Sequence, residues 1–149
     1  MLRVSFDFFA MQQLRQSIEI SKDELVGYWY GYEPVGYNDW IYLTIWVMLS
    51  NVSENPKLSF RTMALQEKLA KDSRPPELPI VIPFHTHPRE HIPRPTTNDM
   101  IQLGLPRMEK YHLIFGNTGI PRLFEFPAYA AKRLDSPLVS AQLLLRQWR

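Results

Sequence analysis

The chain contains no cysteine. Disulfides, thiolate metal sites and cysteine nucleophiles are excluded together, and the composition agrees with a reducing compartment. Charge of one sign is not concentrated either. Seventeen Lys and Arg stand against 15 Asp and Glu, for a net charge of +2, and the densest basic group is Arg146 with Arg149 at the very end. That pattern lacks the electrostatic footprint of a nucleic-acid binder. Long hydrophobic runs are missing too: the most apolar stretch, Trp40 to Leu49, is about half the ~20 residues a bilayer span requires. The opening MLRVSFDFFA carries an aspartate where a secretion signal needs an unbroken apolar core. The expectation is a soluble, cytoplasmic protein with no nucleic-acid and no membrane partner. Histidine is scarce, yet three of the four, His85, His87 and His91, fall inside residues 84–100, FHTHPREHIPRPTTNDM.

A chain of 149 residues with 45% apolar content suits one domain, residues 1–149, with a core that needs no crosslinks. Leu2 to Ser5 reads as a short strand. Phe8, Met11, Leu14 and Ile18 recur at helical spacing over Phe8 to Ile20, with Asp7 as N-cap. Leu25 to Tyr32 reads as a strand, Pro34, Gly36 and Asn38 mark a turn, and Trp40 to Val52 reads as a buried central strand. Ser59 to Lys71 has the composition of a helix. Ser73 to Pro79 is a proline-rich connection, and Ile80 to Thr86 a strand leading into the histidines. A helix is expected over Thr96 to Met108. Strands follow over Tyr111 to Phe115 and Arg122 to Phe126, around the turn Gly116-Asn117-Thr118-Gly119. Ser136 and Pro137 open a last helix through Trp148, with Leu138, Ala141, Leu145 and Trp148 on one stripe. Helices alternating with strands predict a mixed α/β fold. Trp29, Trp40, Trp46 and His112 read as packing residues, and His91 as a loop-surface residue.

His85 and His87 stand two apart at a strand end, so both side chains leave the same face. Two imidazoles with one carboxylate satisfy zinc and leave a fourth position open, as catalytic zinc sites do. Asp99 lies twelve residues beyond His87 in the first turn of the next expected helix. Pro88, Pro93 and Pro95 restrict the loop between them, which lowers the entropy lost in holding a third ligand. Zinc lowers the pKa of a water in its open position toward ~7. Hydrolysis also needs a general base and a donor for the oxyanion, and the Thr96 hydroxyl lies one helical turn from Asp99. Each piece has a plainer reading. Thr96-x-x-Asp99 is a helix-capping pattern, the prolines stiffen a loop, and a single histidine usually packs or faces solvent. No one of these readings accounts for the conjunction.

His85-Thr86-His87-Pro88, seven residues, Thr96, two residues and Asp99 resembles the signature of the JAMM (MPN-plus) metalloproteases, which is His-Ser/Thr-His-Pro, seven residues, Ser, two residues, Asp. That family also has an upstream glutamate before a strand of the form Glu-x-x-Gly-x-x-x-Gly. Here the match is Glu24-Leu25-Val26-Gly27-Tyr28-Trp29-Tyr30-Gly31. The order of elements agrees as well, from about residue 1 to about residue 127.

The resemblance implies a single JAMM/MPN-like domain, a curved mixed β-sheet flanked by helices with cytidine-deaminase-like layering. It implies one Zn²⁺ per chain on His85, His87 and Asp99, and Glu24 as the general base. Thr96 stands where the family has the serine that hydrogen-bonds the oxyanion; it keeps the hydroxyl but adds a methyl that restricts the rotamer. The implied reaction is cleavage after the C-terminus of ubiquitin or a ubiquitin-like protein, with that protein or its conjugate as partner. Asn55 to Lys57 and Ser73 to Pro79, where relatives carry substrate-contacting loops, are short. A non-catalytic MPN-type scaffold and a DNA-associated role like that of RadC-type proteins are the competing readings. A homodimer or a complex with a partner protein stays open.

Overall fold

Asp7 starts the first helix as its spacing predicts. Its carboxylate accepts the Ala10 N–H at 2.9 Å, satisfying a donor that the helix itself leaves unpaired. Its backbone N–H donates to Leu43 O at 2.8 Å, which fastens the helix start to a neighbouring strand. The computed structural model describes residues 2–94, 111–125 and 132–133. Within these, α1 is Phe8–Ile20 and α2 is Ala64–Asp72. The strands are β1 Arg3–Phe6, β2 Val26–Tyr32, β3 Trp40–Leu49, β4 Ile80–Thr86, β5 Tyr111–Phe115, β6 Pro121–Glu125 and β7 Lys132–Arg133. The expected helices at Thr96–Met108 and Ser136–Trp148 lie outside the described residues.

The described strands form one mixed sheet in the order β1-β3-β2-β4-β5-β6-β7. The β1–β3 and β4–β5 pairs are parallel and the others antiparallel. Alternation along each strand sorts side chains to two faces. One face packs under α1: Met11, Leu14 and Ile18 meet Trp29, Leu43, Phe84, Leu113 and Phe115. The opposite face gathers Val26, Tyr28, Tyr30, Leu49, Phe60, Ile114 and Phe124. Each large apolar side chain buried in this way contributes roughly 1.5–3 kcal/mol. The fold is therefore mixed α/β, and no helix among the described residues is long and apolar enough to cross a membrane.

Two expectations are corrected. β3 lies second from the edge, between β1 and β2, and is not central. Ile45 and Met48 on it are exposed, so its apolar run is only half covered. The second helix starts at Ala64, five residues later than its composition predicts. The segment before it is held by other bonds: Asn51 Oδ1 accepts the Arg61 N–H, and Asn51 Nδ2 donates to Ser59 O. Backbone groups used this way are not free for a helical ladder.

The two glycines of the Glu-x-x-Gly-x-x-x-Gly stretch have a steric reason. A Cβ on Gly27 would meet the Phe84 ring at 2.8 Å and the Val47 carbonyl oxygen closer still. A Cβ on Gly31 would meet the Tyr42 carbonyl oxygen and, at 2.9 Å, Leu43 Cδ2. The neighbouring strand and its side chains occupy the space a larger residue needs.

Tyr42, on β3, gives a pH test of the packing around the α1 cap. Burial, then the Asp7 charge and then Tyr32 push its phenol up to about 12 from an ordinary 10.0. A raised folded-state value means that the neutral phenol favours folding. This stability is fully present below pH 10 and is lost as pH rises toward about 12. Unfolding stability measured by denaturant from pH 8 to pH 12 is expected to fall less steeply for Tyr42→Phe than for the natural chain.

Candidate metal centre

β4 ends at the pair the sequence singles out. Register places His85 opposite Val26 on β2 and opposite Ile114 on β5, so the imidazole stands on the sheet face that carries Tyr28, Phe60 and Ile114. His87 follows one residue past the strand, its backbone N–H donating to Phe115 O at 2.8 Å. Both rings are buried, and their Nε2 atoms face one another at 3.0 Å. Two imidazole nitrogens bound to one tetrahedral zinc at ~2.0–2.1 Å stand about 3.3 Å apart. The observed separation is close to that spacing.

Glu24 joins them from a point 61 residues earlier than His85. Its carboxylate and the two imidazoles each offer a ligand atom, and all lie within 4.8 Å of one another. Only 4% of Glu24 is exposed, so this acid is buried at the site and not solvated on the surface. A buried carboxylate converging with two imidazole lone pairs is a donor set whose burial a divalent cation compensates. The residues present fit a metal of the zinc type. Asp99 and Thr96, the other two site residues expected from the sequence, lie outside the described residues.

Long-range hydrogen bonds put Glu24 there. The residue between the histidines, Thr86, accepts the Leu25 N–H on Oγ1 at 2.8 Å and donates its own N–H to Leu25 O at 2.9 Å. The Glu24 N–H donates to Pro56 O at 2.6 Å, and Asn51 Nδ2 donates to Glu24 O at 2.9 Å. Asn51 also accepts the Ser53 and Arg61 N–H groups. One amide thus braces the loop that carries the acid, and nothing in the local sequence distinguishes it from a turn asparagine. Asn51→Ala is expected to cost about 2–3 kcal/mol, because several backbone partners lose their bond at once. Its denaturation midpoint relative to the natural chain checks this.

The outer ring nitrogens are engaged as well. His85 Nδ1 lies 2.7 Å from His112 Nε2, and His87 Nδ1 lies 3.2 Å from Glu90 Oε2. Glu90 Oε2 in turn accepts the Arg94 N–H at 3.0 Å. Phe60 stacks on His85 with ring centroids 4.3 Å apart and reaches His112 at 6.2 Å. His112, expected only to pack, is therefore a polar neighbour of a candidate ligand. His91 is exposed, as expected, with Nδ1 at 3.3 Å from Thr118 Oγ1. Two hollows adjoin the site. A cleft of about 120 Å³ has Glu24, His87, Lys57, Leu58 and Glu90 in its walls. A larger cavity of about 300 Å³ beside α2 reaches His112 and Phe60 but neither Glu24 nor His87. The smaller one is the hollow that reaches Glu24 and His87.

No protein-family model matches this chain, and no curated protein matches it. The solution structure of protein DSY2949 from Desulfitobacterium hafniense is similar in fold, with a TM-score of 0.65 over 88% of this chain and 89% of that one. The identity is 19%, so this likeness carries the fold alone.

Proposed function

We propose that the chain is a zinc-dependent peptidase or isopeptidase of the JAMM type, acting at the C-terminal tail of a ubiquitin-like protein. The observation that carries this reading is the buried convergence of Glu24 with the facing Nε2 atoms of His85 and His87. His85 and His87 would hold the ion, with Asp99 as the third ligand that the resemblance implies. Zinc, when bound, supplies Lewis acidity: it polarises a carbonyl and makes water a nucleophile near neutral pH. Glu24 takes the proton of the attacking water and hands it to the leaving amine. The Thr96 hydroxyl donates to the developing oxyanion. Leu58 and Lys57 line the cleft beside Glu24 and His87, and a Gly-Gly tail, which carries no bulky side chain, is the substrate segment this reading implies.

Two observations weigh against the competing readings. A scaffold has no use for a carboxylate buried beside two imidazoles, which costs free energy unless compensated. A DNA-associated role needs a basic face, and the chain's net charge is only +2. The test is elemental analysis of the purified protein, followed by cleavage of a ubiquitin-like fusion with and without chelator. One zinc per chain and chelator-sensitive turnover are expected. Metal-free protein that cannot be loaded would sink the proposal.

A further inference from the structure

We infer that His112 is a positioning residue for the metal centre: it holds His85 in the one tautomer and orientation that turns the Nε2 lone pair toward the ion. The inference rests on the zinc reading above and adds a residue that the motif does not contain.

The two facing Nε2 atoms fix where each ring carries its proton. An ion that takes both Nε2 lone pairs leaves each imidazole proton on Nδ1. The proton on His85 Nδ1 then points at His112 Nε2, 2.7 Å away. His112 must receive it on a bare Nε2 and carry its own proton on Nδ1. The same logic holds at the other ring, where His87 Nδ1 faces the Glu90 carboxylate at 3.2 Å. The two outer contacts are not alike. Glu90 has a side chain 41% exposed, where water can replace it, whereas His85 and His112 are 0% and 2% exposed. A buried hydrogen bond beside the Phe60 ring is shielded from competing water and is correspondingly stronger.

The sheet explains why this acceptor is a histidine at position 112. β5 runs parallel to β4 with Ile114 opposite His85. Residue 112 lies two positions earlier on the same strand and therefore on the same face. An imidazole reaches from there to Nδ1 of His85, and an aliphatic side chain would fill the space without accepting the proton. Outer partners of this kind, when removed, typically lower metal affinity by ~10–100-fold.

The experiment compares zinc affinity, by competition with a chromophoric chelator, for the natural chain, His112→Leu and His112→Gln. His112→Leu is expected to bind roughly 10–100-fold more weakly. His112→Gln is expected to recover most of the loss, because its amide oxygen accepts the same proton. Equal affinity of His112→Leu and the natural chain, or equal loss in both variants, overturns the role of His112 while leaving the zinc reading in place. A natural chain that binds no zinc overturns the zinc reading beneath it. If the variants fail to fold, imidazole ¹⁵N spectra of the zinc-loaded natural chain decide: a proton on His112 Nδ1 supports the inference, and one on His112 Nε2 refutes it.

Discussion

Glu24→Gln is expected to lower peptide-bond cleavage by ~10²–10⁴-fold, the usual contribution of a positioned general base, with zinc content unchanged. Glutamine keeps the shape and the hydrogen-bonding reach of the side chain but has no basic oxygen. The backbone bonds that place this residue, from Asn51 Nδ2 and to Pro56 O, do not depend on the carboxylate. The fold around the site should therefore survive. The measurement also separates two roles that proximity alone leaves together, because a carboxylate within 4.8 Å of both imidazole ligand atoms can serve the ion or the water. Loss of turnover with one zinc retained identifies a base. Loss of zinc along with turnover identifies a ligand. Undiminished cleavage removes Glu24 from the chemistry altogether.

Gly27→Ala is expected to destabilise the fold by about 3 kcal/mol or more, at or above the upper end of the usual overpacking range. That is a large share of the ~5–15 kcal/mol that holds a typical domain together. The added methyl has nowhere to go: the Phe84 ring stands 2.8 Å from its position, and the Val47 carbonyl belongs to the backbone of β3 and cannot rotate aside. Phe84 directly precedes His85 on β4, and Val26, beside Gly27, lies opposite His85 in the register. Relief by sliding β2 would move Glu24 away from the imidazoles. Denaturant titration gives the stability loss. Zinc affinity measured on whatever fraction remains folded is expected to drop with it.

Much of the fold was legible because it is local. Asp7 caps α1, the 3.6-residue recurrence of Met11, Leu14 and Ile18 matches its buried stripe, and short apolar, β-forming runs marked β4 and β5 to the residue. Such signals depend on neighbours within one turn or one pleat. Ser59 to Met63 failed for a long-range reason. Its residues tolerate a helix, but Phe60 is drawn down to stack on His85, and the flanking backbone bonds to Asn51. Tertiary context overrode propensity there. The overestimate of β3 has a similar cause: ten apolar or β-forming residues in a row say that a strand exists, not how many of its faces are covered.

The candidate site divides along the same line. Residue types and spacing alone determined that two imidazoles leave one strand end together, and the resemblance pointed to Glu24 as their companion. Only the tertiary structure decided that Glu24 is buried against them, that Thr86 and Asn51 hold it there, and that His112 stands behind His85. Those facts depend on β-sheet register between segments tens of residues apart. A shift of one residue would send every side chain to the opposite face. Periodicity within a strand carries no information about that register, because what sets it is packing and hydrogen bonding between strands.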